Sequence, residues 1–262
     1  MLVAVAVTGV AAAALVGRPA PSSSAAVPQS LRVRVVRSFP HDPEAFTQGL
    51  VFHLGKLYES TGLVGRSSVR RVDPATGAVE AQVPLDGTLF GEGLAVAEGR
   101  LVQLTWTDGR ALHWDLERLA PAGEFQYAGE GWGLCFDGRR FVMSDGSDRL
   151  ALRDARTFEF LGALAVRDPD GPVARLNELE CVGDSVYANV WQTERIARID
   201  ARSGRVTAWI DAAGLLTAEE ARRAEVLNGI AWLPATGRFI LTGKFWPRAF
   251  EVEFVARDAA GR

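Results

Sequence analysis

A three-residue template occurs five times in this chain, as Gln48-Gly49-Leu50, Glu92-Gly93-Leu94, Trp132-Gly133-Leu134, Asn177-Glu178-Leu179 and Asn228-Gly229-Ile230. The copies are 44, 40, 45 and 51 residues apart. Such a period marks a propeller or a related repeat array. The third place is always Leu or Ile, the second is usually Gly, and the first changes its chemistry from copy to copy. Each copy opens a series of short strand-like runs. In the first repeat these are 49–52, 56–60, 68–72 and 78–84, with a strong turn at Asp73-Pro74-Ala75-Thr76-Gly77. The fifth repeat stops after three runs, 229–233, 238–244 and 249–255. Residues 31–36, which alternate apolar and basic, form an orphan strand ahead of the first repeat. The predicted fold is therefore all-β: a five-bladed β-propeller of four-stranded antiparallel blades, with the last blade closed by the N-terminal strand. Residues 216–224 predict a short helix, because Thr217 and Glu220 have capping-box spacing. That insertion accounts for the longest separation.

With 262 residues, 48% of them apolar, the chain can bury one large core. The sequence divides into a signal-like segment and flexible linker over 1–30 and a single expected propeller over 31–262. Residues 1–16 are apolar and uncharged, and a stretch rich in Pro, Ser and Ala follows. This predicts export, to the periplasm or outside the cell, although no basic residue precedes the apolar run. Membrane attachment is expected only if that segment is retained. A net charge of −3 argues against a nucleic-acid partner. Cys135 lies three places after Trp132, and Cys181 four places after Asn177. Those positions fall on opposite faces of equivalent strands, so two buried free thiols are expected.

In a propeller the first strand of each blade lines the central channel. The variable template place therefore puts Gln48, Glu92, Trp132, Asn177 and Asn228 in a ring. The ends of the second strands bring Trp106, Trp191 and Lys244 towards the same face. A mostly aromatic pocket with a few polar groups suits a small ligand. Glu92 is the one acid in the ring, and flanking Gly91 and Gly93 allow close approach. Trp114, Trp209 and Trp232 are assigned to packing between blades. Glu180 is odd, because its counterparts are Val51, Ala95, Cys135 and Ala231. A carboxylate there needs a proton, a hydrogen bond or a cation, and a structural calcium in the channel is one option. Nucleophile elbows, phosphate loops and histidine metal motifs are absent, and His41, His53 and His113 are scattered.

Eight segments in order carry a resemblance. They are Ala45-Phe46-Thr47-Gln48-Gly49, Phe90-Gly91-Glu92-Gly93-Leu94, Gln103-Leu104-Thr105-Trp106, Glu130-Gly131-Trp132-Gly133-Leu134, Leu176-Asn177-Glu178-Leu179-Glu180, Tyr187-Ala188-Asn189-Val190-Trp191, Leu227-Asn228-Gly229-Ile230-Ala231 and Thr242-Gly243-Lys244. Together they resemble the plant-type and bacterial glutaminyl cyclases, also called glutamine cyclotransferases. The resemblance implies a five-bladed propeller that converts the N-terminal glutamine of peptides to pyroglutamate, releasing ammonia. It implies Glu92 as catalytic acid and base, and Phe46, Gln48, Phe90, Trp106, Trp132, Asn177, Trp191 and Lys244 as pocket residues. Lys244 and Gln48 are candidates to stabilise the oxyanion, and Asn177 to hold the substrate backbone. No catalytic cofactor is required, the partners are peptides with N-terminal Gln, and a monomer is expected. Two other readings stand beside it: a non-catalytic peptide-binding propeller and a calcium-dependent lactonase-like propeller.

Overall fold

A computed structural model describes Met1 and residues 27–257. The signal-like segment read at 1–30 falls almost entirely outside the described residues. Strand β1 spans Gln29–Pro40. The first repeat contributes β2 (Thr47–His53), β3 (Lys56–Thr61), β4 (Ser68–Val72) and β5 (Val79–Pro84), and the second β6 (Gly91–Ala97), β7 (Arg100–Thr105), β8 (Arg110–Asp115) and β9 (Pro121–Gln126). The third holds β10 (Leu134–Phe136), β11 (Arg140–Met143), β12 (Arg149–Asp154) and β13 (Phe160–Ala165). A two-stranded hairpin, β14 (Arg167–Asp168) with β15 (Gly171–Pro172), follows. The fourth repeat holds β16 (Leu176–Val182), β17 (Ser185–Val190), β18 (Arg195–Asp200) and β19 (Val206–Asp211), and the fifth β20 (Leu227–Leu233), β21 (Arg238–Gly243) and β22 (Arg248–Ala256).

The first three repeats form separate four-stranded sheets, each in sequence order. The remaining strands form one eight-stranded sheet, β16-β17-β18-β19-β1-β22-β21-β20. Strand β1 pairs antiparallel with β22, from Leu31 opposite Ala256 to Pro40 opposite Arg248, and so supplies the strand that the fifth repeat lacks. It also does something unforeseen: Gln29–Arg32 run parallel to 208–211 of β19, fusing the fourth and fifth units along their outer edges.

Burial follows position along each unit. Innermost strands such as β6 are almost wholly buried, whereas outermost strands such as β5 and β13 alternate half-buried and exposed residues. Strands β2, β6, β10, β16 and β20 touch their neighbours in that order, and β20 returns to β2. The apolar core is accordingly split among five seams rather than gathered at a centre. Phe39, Leu50 and Leu57 meet Ala231, Leu233 and Ile240 at the seam that closes the ring. Trp114 is buried in the seam between the first and second units, and Trp209 and Trp232 pack against others.

The template has a structural cause. In four units the inner hairpin slips register there, for example from Thr47 opposite Thr61 to Gly49 opposite Ser60, and from Gly91 opposite Thr105 to Leu94 opposite Gln103. The extra residue of such a bulge is released from the ladder and its side chain is re-aimed. That is the variable place, which explains why its chemistry is free. The Gly place is set by close approach. A Cβ on Gly49 would lie 2.6 Å from the Leu94 nitrogen, one on Gly93 2.5 Å from the Leu134 nitrogen, and one on Gly133 2.0 Å from the Asn177 oxygen. In the first three units the inner strand thus abuts the backbone of the next.

Two expectations are corrected. Cys135 and Cys181 form a disulfide, with Cα atoms 5.5 Å apart. The opposite-face relation is what permits it. Neighbouring units stack face to face, so the right face of one strand meets the left face of the next, and both sulfurs lie in the seam containing Val142 and Val186. The expected helix at 216–224 is only one 3-10 turn, Glu220–Arg222. The capping-box bonds do form: Glu220 accepts from the Thr217 amide at 2.9 Å, and the Glu220 amide donates to the Thr217 hydroxyl at 3.3 Å. The turn ends because the chain is taken up at once by pairing with Lys244, whose carbonyl accepts the Glu225 amide at 2.8 Å and whose amide donates to the Val226 carbonyl at 3.0 Å.

Candidate active site

At the end of the strands where the bulges lie, one cavity of about 290 Å³ opens. Its lining is Phe46, Gln48, Phe90, Glu92, Trp106, Trp132, Asn177, Trp191 and Lys244, so every pocket residue carried over from the resemblance is brought to one place. Gln48, Glu92 and Asn177 come from the bulges of β2, β6 and β16, whereas Trp106, Trp191 and Lys244 immediately follow β7, β17 and β21. A larger cleft of about 480 Å³ lies at the far end of the strands, around His53, Lys56 and Glu117. There Glu80 is already paired with both Lys56 and Arg71.

The aromatic wall is built of edge-to-face contacts. Ring centroids are 6.0 Å apart for Phe46 and Phe90, 5.6 Å for Phe90 and Trp106, and 5.5 Å for Trp132 and Trp191. Such pairs hold their rings in defined orientations. Trp106 stands at the mouth, 41% exposed, while Gln48, Glu92, Asn177 and Lys244 are buried. The Lys244 ammonium lies 4.5 Å from the centre of the Phe46 ring, a cation–π contact that fixes its position.

A hydrogen-bond chain leads to the acid. Asn228 Nδ2 donates to the Thr47 carbonyl at 3.0 Å and to Gln48 Oε1 at 3.2 Å, and Gln48 Nε2 donates to Glu92 Oε1 at 2.8 Å. Asn228 thereby decides which way the Gln48 amide faces. One Gln48 N–H is committed to Glu92, so that residue positions the acid as well as facing the pocket. Burial pushes the Glu92 carboxyl well above the usual range, opposed by the Lys244 charge and reinforced by Glu130. Burial lowers Lys244, against the pull of Glu92 and Glu225. Asn177 Oδ1 is buried and has no hydrogen-bond partner among the described residues, so it is an acceptor waiting for a donor in the pocket.

Glu130 escaped sequence reasoning, although it belongs to one of the quoted segments. Its Oε2 accepts from the indole of Trp106 at 2.8 Å and from that of Trp132 at 2.9 Å, locking two walls together. The available signal was the Glu130-Gly131-Trp132 spacing. Glu130→Ala should raise KM roughly tenfold with kcat little changed, the loss of charge-assisted hydrogen bonds worth about 1.5 kcal/mol. An unchanged KM in steady-state kinetics would show that the indoles hold their places unaided.

Two further carboxyls sit beneath the pocket. Glu178 replaces Gly in the fourth template and is fully buried, accepting from the amides of Leu50 at 3.2 Å and Ile230 at 2.9 Å. It clips the first and fifth inner strands to the fourth. Glu180 accepts from the Trp232 amide at 3.3 Å, and burial pushes its carboxyl up to about 8. Burial thus favours the protonated carboxyl, which keeps its hydrogen bond to Trp232. The linkage has a definite sign. Below about pH 4.5 the folded and unfolded chains both hold this proton. As pH rises towards 8 only the folded chain keeps it, so stability falls across that window. Glu180→Gln should flatten the profile, removing at most about 1.4 kcal/mol per pH unit. Urea midpoints at pH 5 and pH 8 test this, and a wild-type-to-variant difference independent of pH would refute it.

The molecule is thus an all-β, propeller-like ring of sheets with a buried acid inside an aromatic pocket at one end. The glutamine cyclotransferase family model matches residues 4–254. A glutaminyl-peptide cyclotransferase from Arabidopsis thaliana is 41% identical over 233 residues, covering 87% of this chain and 72% of that protein. The crystal structure of Myxococcus xanthus glutaminyl cyclase superposes with a TM-score of 0.80 at 39% identity, covering 88% of this chain and 100% of that one. The chain belongs to the glutamine cyclotransferase family.

Proposed function

We propose that this family member is a glutaminyl-peptide cyclotransferase in which Glu92 shuttles the proton. The observation that carries the reading is the buried Glu92 carboxyl, held by Gln48 at 2.8 Å inside the aromatic pocket. The α-amine of an N-terminal Gln attacks its own γ-carboxamide carbon. A C–N bond forms to that amine, and the bond to the amide nitrogen breaks. Both groups belong to one residue, so orientation by the aromatic walls supplies much of the rate. Desolvation there favours the neutral, nucleophilic amine. Glu92, as carboxylate, takes the amine proton and returns it to the amide nitrogen, which departs as ammonia. The raised proton affinity of the buried carboxyl suits it to both steps. Lys244 is placed to stabilise the oxyanion, and Asn177 Oδ1 to accept from a substrate N–H. The reaction is an intramolecular acyl transfer and calls for no cofactor.

The test is ammonia and pyroglutamate formation from Gln-Ala, with and without a chelator. Absence of both products would sink the reading, and loss on chelation would assign a metal a part in it. We also place the enzyme in the periplasm or outside the cell. The leader-like 1–30 segment and the Cys135–Cys181 disulfide support that placement, since such bonds persist in oxidising compartments.

A further inference from the structure

Cyclisation uses only the first residue of the substrate, so the rest of the peptide must leave the pocket across one of its walls. Beside the pocket, at the same end of the strands, lies a second cavity of about 410 Å³. The two share a wall. Trp191 lines the first and Gln192 the second, and the Lys244 backbone bonds directly to Glu225 and Val226 of the second. The far wall is the 216–226 insertion, which is firmly tied down. Trp246 Nε1 donates to the Glu225 carbonyl at 2.9 Å, and Arg248 pairs with Glu220. Leu216, Ala221, Ala224 and Trp246 make much of the lining apolar. Glu194 and Glu225 bring exposed carboxylates to it; neither makes a side-chain hydrogen bond or a close ion pair among the described residues, and the Glu225 charge also acts on Lys244 from a distance. On the opposite side of the reactive pocket, Glu130 clamps Trp106 to Trp132.

We infer that this cleft receives the peptide segment that follows the N-terminal Gln, and that it favours segments carrying Lys or Arg. The inference rests on the cyclotransferase reading and adds to it a specificity beyond the reacting residue. The wall shared with the reactive pocket selects the substrate chain as occupant, and the carboxylates of Glu194 and Glu225 select its charge. Extended chain advances about 3.3–3.6 Å per residue, so the second to fourth residues are those in reach.

The experiment compares Gln-Ala with pentapeptides Gln-Ala-Ala-Ala-Ala in which Lys or Glu replaces Ala at the second, third or fourth place. At one of these places kcat/KM for Lys should exceed that for Glu roughly three- to tenfold at low salt, and the gap should close as salt rises. Glu194→Lys should narrow the gap, and Ala221→Trp, which fills the cleft, should slow the pentapeptides while Gln-Ala turns over as before. Binding of the same pentapeptides to Glu92→Gln protein, read by Trp fluorescence, should show the same order. Equal handling of Lys and Glu at all three places, or equal slowing of Gln-Ala and pentapeptides by Ala221→Trp, overturns the subsite. Absence of turnover with charge discrimination intact in the binding measurement overturns the reaction and leaves the subsite standing.

Discussion

Glu92→Gln should fold normally and lose about 10²–10⁴-fold in kcat, the usual share of a positioned acid–base group. The substitution keeps the volume and the hydrogen-bonding plane, so the Gln48–Asn228 chain has a partner to hold. What disappears is a group that can take a proton and give it back. Stability should not suffer. The wild-type carboxyl holds its proton more tightly in the folded chain than in the unfolded one. Rising pH therefore costs the wild type stability from the ordinary carboxyl range up to its folded pKa, and the variant is spared that loss. Single-turnover and steady-state rates on Gln-Ala, with unfolding curves at pH 5 and pH 8, separate the two effects. Wild-type turnover in the variant would remove Glu92 from the mechanism.

Removing the disulfide should have the largest effect on stability. Cys135 and Cys181 are 46 residues apart in sequence. Releasing a loop of that length frees unfolded-chain entropy worth about 4 kcal/mol in the chain-entropy model. For a domain of this size each kcal/mol moves Tm by about 2–4 °C, so Cys135→Ala with Cys181→Ala should lower it by roughly 8–16 °C. Reducing agent should do the same to the wild type. Neither sulfur lines the reactive pocket, so kcat at 25 °C should persist. An unchanged Tm in protein whose thiols have been shown to be free would discard this account.

Features fixed within one repeat were legible. Template spacing located the inner strands, and the variable place located the ring, because in four units a bulge releases one residue from the ladder and leaves its chemistry unconstrained. Of the five template places, Gln48, Glu92, Trp132 and Asn177 line the cavity, and Asn228 stands behind Gln48. Trp106, Trp191 and Lys244 were legible from the ends of the second strands, and Phe46 and Phe90 only through the family resemblance. Features fixed between units were not. Opposite faces keep two cysteines apart within one sheet, whereas Cys135 and Cys181 face each other across a seam. Glu178 looked like a lapse in the template, yet its carboxyl reaches Leu50 and Ile230 in two other units. Glu130 carries no role in the sequence pattern, and its role appears only where it joins the indoles of Trp106 and Trp132. In each case the partner is far away in sequence, and no local pattern records it.

Strand β1 has a consequence for the order of events in the life of the chain. Of the described strands it is synthesised first, yet both partners belong to the end of the chain: β19, and then β22. The ring cannot close before β22 exists, so the seam between the first and fifth units waits for it. Pairing across such sequence distances is slow compared with local structure. That fastening is consequently made only after β22 has been synthesised, and a truncation within β22 would leave β1 with nothing to dock against on that side.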